Sequence, residues 1–248
     1  MPSDAKHFHF GKAIAAAVWV VLAFYAVQLV LTGVILGLDG FGVSFEDVNQ
    51  SVLGAVLAAV VYAITLGVVI GVPWLVMRDK VSRKELGVHR PLAWRDLLLS
   101  VPAYLLYFLL TAVAAYVVIT YIPAIDMEQA QDVIFNGIGR NYEFILAFIT
   151  LVILAPVAEE VLFRGYLFGR LMRYIPVWLA VLVTSAIFAA EHGQWNVAVD
   201  TFILSVVMCA VRLHTGTIWT PIMIHMIKNG IAFYLLFVNP SLLSGIAG

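Results

Sequence analysis

Apolar residues run through this chain in blocks of about twenty, separated by short polar connections. A helix that crosses a bilayer needs ~20 apolar residues. By that measure the blocks predict spans over 13–37, 52–77, 97–122, 143–160, 176–191, 197–213 and 217–238, and the fourth can continue as one helix toward Tyr174. The pattern therefore predicts an all-α, polytopic transmembrane helix bundle of about seven spans, or eight if the count merges two short helices. The first block is longer than the ~7–15-residue core of a cleaved signal, which favours a retained first span. With no internal repeat, residues 1–248 read as a single integral membrane domain.

Composition strengthens this picture. The 248 residues are 63% hydrophobic and 12% charged, against roughly 45–50% and about 25% in a soluble domain, and the mean hydropathy is +1.00. A soluble fold of this length has nowhere to hide so much apolar surface. The net charge of -1 says little about partners, and no nucleic-acid partner is expected. The local charge says more. The connection RDKVSRKELGVHRPLAWRD carries Arg78, Lys80, Arg83, Lys84, Arg90 and Arg95, whereas LDGFGVSFEDVNQS has no Lys or Arg. Arg164, Arg170 and Arg173 follow the fourth block. By the excess of basic residues in cytoplasmic loops, this alternation predicts a multi-pass cell-membrane protein with a cytoplasmic N-terminus. The single cysteine, Cys209, lies in an apolar run and reads as an inert buried thiol.

Ionisable residues inside the later blocks are the candidate chemistry, because a charge at a helix centre costs about 2.5–3.5 kcal/mol on insertion scales. In AEEVLFRG, Glu160 and Arg164 are four apart and share a helical face, so they can pair. Glu159 lies about 100° round the helix and is left without that partner. One carboxylate is thereby braced, and the other is available as a general base or acid. The bland alternative is that these charges mark the end of a span.

Two further groupings weigh against that alternative. In IFAAEH, Phe188 and His192 are four apart, and in IHMIKN, His225 and Asn229 are four apart on the last block. Polar groups buried separately are costly, so convergence on one cavity is expected. Asp200, Arg212 and Lys228 read instead as interfacial or snorkelling charges.

These three groupings, EEVLFR, FAAEH and HMIKN, occur in that order on successive blocks. They fit Glu-Glu-x-x-x-Arg, Phe-x-x-x-His and His-x-x-x-Asn, and over roughly 143–230 the chain resembles the CAAX-protease and bacteriocin-processing family of intramembrane endopeptidases. Eukaryotic members of that family are the type II CAAX prenyl proteases. The resemblance implies a catalytic core over 143–230 in which Glu159 activates a water with help from His192. It implies that His225 and Asn229 polarise the scissile carbonyl, and that Glu160 and Arg164 brace the site. The substrate implied is a membrane-associated protein or peptide, prenylated or not. Family members carry eight membrane helices, whereas only NPSLLSGIAG follows Val238, too short to cross.

No required cofactor is expected, and Zn²⁺ held by the two histidines and a glutamate is the alternative. Two readings of other classes stand beside the protease. A proton-coupled transporter could use Glu159, His192 and His225 as a relay, and a non-catalytic membrane scaffold or immunity protein needs none of them.

Overall fold

The computed structural model describes residues 8–45, 47–122, 124–127 and 139–242. These residues form α1 (Phe10–Gly40), α2 (Gln50–Met77), α3 (Arg83–Leu86), α4 (Trp94–Tyr121), α5 (Asn141–Tyr174), α6 (Val177–Ala190), α7 (Trp195–Thr215) and α8 (Trp219–Val238). Six of them, all but α3 and α6, are long and apolar enough to cross a membrane. The protein is a multi-pass helical bundle.

The fifth expected span is corrected. The apolar block 176–191 yields only the 14-residue α6, about 21 Å at 1.5 Å per residue, which is shorter than a hydrocarbon core of about 30 Å. His192 follows directly on its end. The fourth block runs through to Tyr174 as one 34-residue helix.

That helix is not uniform. Ile149–Leu154 and Val161–Leu167 are wound as π-helix, so the Ala155 N–H reaches the Thr150 carbonyl and the Phe168 N–H reaches that of Phe163. The two glutamates sit between these widened turns, a kind of insertion frequent at functional sites.

One end of the bundle gathers the basic connections. The His9 N–H donates to the Tyr174 carbonyl, and that of Ile218 donates to Gly87. Arg90 makes a two-pronged pair with Asp96, at 2.6 and 2.7 Å. Arg170 contacts both Asp79 and Glu85, and Arg173 contacts Glu85. This latches the short α3 onto the end of α5, where Gly165 and Gly169 let main chain meet main chain. A Cβ at Gly169 would fall 2.9 Å from the Glu85 carbonyl oxygen, and one at Gly165 would fall 3.2 Å from that of Leu86. At the opposite end, Asn49 caps α2 and donates to Glu143 at 2.6 Å. The core lies between, where α5 packs inside the other helices around Leu162, Leu167, Phe168, Phe188, Leu204 and Met208.

Candidate active site

Helix α5 carries Glu159 and Glu160 about 21 Å from its basic end, counting 1.5 Å for each of the last fourteen residues. Glu160 and Arg164 are both wholly buried and pair at 2.8 Å, as their spacing predicts. The arginine also lies over the Phe188 ring, its Cζ 4.2 Å from the centroid. A buried ion pair keeps its charges only if further contacts satisfy them, and this cation–π contact covers part of the guanidinium. The second oxygen of Glu160 is buried and has no partner among the described residues.

His225 stands between the two glutamates. Its Nδ1 is 2.9 Å from Glu160 Oε1, and its Nε2 is 3.8 Å from Glu159 Oε2. A carboxylate only accepts, so the Nδ1 proton is donated to Glu160, which fixes the ring plane. Glu159 keeps 17% of its side chain exposed, against none for Glu160.

Glu159 is not without a partner. Tyr62 of α2 donates its hydroxyl to Glu159 Oε1 at 2.5 Å. The expectation that the carboxylate would be free came from counting helix neighbours only, and Tyr62 approaches from a helix 97 residues earlier.

His192 Nδ1 is 2.8 Å from the Phe188 carbonyl. A carbonyl cannot donate, so the proton is on Nδ1 and the Nε2 lone pair is free of it. Glu159, His225 and Lys228 all lie within electrostatic reach of this ring. Phe188 joins the parts: fully buried, it meets Phe163 and His192 edge-on at 5.0 Å and His225 at 5.8 Å.

Asn229 donates its side-chain amide to the Leu151 carbonyl at 2.9 Å. The reason lies in α5. In the π register that pairs Ala155 with Thr150, the next bond would run from residue 156 to Leu151. Residue 156 is proline, which has no N–H to give, and Asn229 supplies the missing donor.

Three other charges depart from expectation. Asp200 accepts from the Tyr107 hydroxyl and pairs with Lys228 at 3.5 Å. These two charges neutralise one another between α7 and α8 instead of reaching separately for the surface. Arg212, 5% exposed, donates to the main-chain carbonyl of Glu85 at 3.0 Å and so secures the basic connection.

A bound zinc ion would need three protein ligands. Among the described residues, no three His, Cys, Asp or Glu side chains are grouped to hold a metal ion, while each histidine engages Glu160 or Phe188 through Nδ1 and keeps Nε2 for another partner.

Residues 141–231 match the family model described as type II CAAX prenyl endopeptidase, Rce1-like. An uncharacterized 24.3 kDa protein of Escherichia coli is 34% identical over 89 residues, covering 34% of this chain and 41% of that one. The membrane-embedded CAAX protease MroQ of Staphylococcus aureus is 29% identical over 112 residues, 43% of this chain and 44% of its own. The chain thus spans less than half the length of these curated relatives. No solved structure matches. Glu159, Glu160, Arg164, His192, His225 and Asn229 all fall inside the matched segment, and Tyr62 falls outside it. Over residues 141–231 the chain is thus similar to the type II CAAX prenyl endopeptidases that the Rce1-like model describes.

Proposed function

We propose that the protein is an intramembrane endopeptidase that hydrolyses a peptide bond of a membrane-associated protein or peptide, of the CAAX type named in its relatives. The observation that carries this reading is His225 set between two carboxylates of unequal burial, one locked to Arg164 and the other partly exposed. That inequality separates a structural carboxylate from a reactive one.

In this reading Glu159 takes a proton from a water, and the hydroxide adds to the scissile carbonyl carbon. Glu160 holds His225 by Nδ1, as an orienting carboxylate holds a catalytic imidazole. The ring, in this reading carrying a proton on each nitrogen throughout, hydrogen-bonds through Nε2–H to the oxyanion that forms and keeps that proton. Glu159 passes its proton to the departing amine as the C–N bond breaks, which leaves one new carboxyl and one new amine. His192, with its Nε2 lone pair, assists at the water, and Asn229 acts on the helix through Leu151. The reaction so written uses no metal ion. The basic end faces the cytoplasm under the positive-inside rule, and the site lies deeper along α5 from that side.

The test is cleavage of a peptide library by the purified, lipid-reconstituted protein, with cut sites read by mass spectrometry. Cleavage by the native chain and none by Glu159→Gln supports the reading. Proton-coupled flux without cleavage would favour transport, which the Asp200–Lys228–Tyr107 cluster could serve.

A further inference from the structure

Tyr62 lies on α2, outside the segment matched by the family model, yet its hydroxyl makes the shortest contact to Glu159. The two oxygens of that carboxylate are thereby distinguished. Oε1 is held by the phenol, and Oε2 is directed to the His225 side, 3.8 Å from Nε2. A carboxylate on a flexible glutamate otherwise turns about its terminal bond, a torsion with broad, roughly two-fold preferences, and either oxygen could face the reacting water. Burial strengthens the hold, because a hydrogen bond is electrostatically stronger in a low-dielectric interior than in water.

A parallel contact supports the pattern. Tyr25 on α1 approaches Glu191, the neighbour of His192. Each of the first two helices therefore brings a phenol to a carboxylate beside a histidine or glutamate of the proposed machinery.

We infer that Tyr62 is a positioning residue for Glu159, which fixes one carboxylate oxygen so that the other is presented to the reacting water. This rests on the protease reading above. Tyr62→Phe keeps the ring and removes only the hydroxyl, so a packing role alone would leave every measurement unchanged.

Two measurements on the full-length protein in lipid test it. In the first, kcat of Tyr62→Phe on a cleaved peptide should fall by about tenfold or more, as for a misplaced reactive group. KM should stay within about twofold and thermal unfolding should be unchanged, since the loss is of orientation and not of substrate binding. An unchanged kcat overturns the inference. In the second, infrared difference spectra identify the carboxylate stretch of Glu159 as the band lost in Glu159→Gln. That band should shift in Tyr62→Phe, and a band that stays in place overturns the inference too. If the native chain cleaves no peptide, the protease reading falls, while the infrared measurement still decides whether Tyr62 holds Glu159.

Discussion

The side-chain amide of Asn229 occupies the place in the α5 hydrogen-bond ladder that Pro156 cannot fill, 2.9 Å from the Leu151 carbonyl. Leu151 to Pro156 is the turn immediately before the two glutamates, so α8 controls the winding of α5 where their direction is decided. Asn229→Ala should leave a part-buried carbonyl unpaired, at a cost of about 1–3 kcal/mol, and should lower cleavage. Adding Pro156→Ala restores an N–H at that position, so the double variant should recover part of the lost thermal stability. Thermal unfolding of the single and double variants in detergent checks this.

The two glutamates should fail differently. Glu160→Ala leaves Arg164 buried without its carboxylate and should destabilise by about 3–5 kcal/mol, visible as reduced folded yield by size-exclusion chromatography. Glu159→Gln should elute and unfold like the native protein and cleave nothing, because an amide cannot take a proton from water. Equal loss of yield in both variants, or cleavage by Glu159→Gln, would show the roles to be misassigned.

Prolonged treatment with EDTA, followed by metal analysis of the treated protein, should leave cleavage within about twofold of its starting value, as the metal-free reaction written above requires. Activity that is lost and then returns in proportion to added zinc would assign Nε2 of both histidines to a metal.

Gly169→Ala should separate the basic connection from α5. The added methyl meets the Glu85 carbonyl, an atom of the main chain that cannot swing aside, and Glu85 also anchors Arg170 and Arg173. Overpacking of this sort costs about 1–3 kcal/mol. Faster proteolysis within 78–93, in protein whose bundle still unfolds cooperatively, is the expected result.

Local relationships were legible in the sequence, and relationships between helices were not. The Glu160–Arg164 pair follows from a spacing of four, and Phe188 with His192 is read the same way. The Asp200–Lys228 pair joins α7 to α8, so each charge taken alone looked like a surface charge. Tyr62 resembles any other aromatic residue in a span, because nothing near it in the chain marks it as a carboxylate's partner. Asn229 was recognisable as polar and buried, but its attachment to Leu151 depends on a π turn that apolar periodicity does not reveal. The block 176–191 is only 16 residues long, and its helix fills Val177–Ala190 before Glu191, His192 and Gly193 end it.

A π turn holds one residue more than the α turn it replaces, and two such turns bracket the glutamates. Shortening 161–167 by a single residue would therefore let α5 close as ordinary α-helix with its ladder intact. The extra residue is held within about the same rotation, so the two sides of the turn, one of them tethered through Arg170 and Arg173, would keep their relative phase. The deletion would spare the direction of Glu159 and remove the local widening beside Glu160 and Arg164. The widened turns, counted in whole residues, are thus as much a part of the site as the side chains it carries.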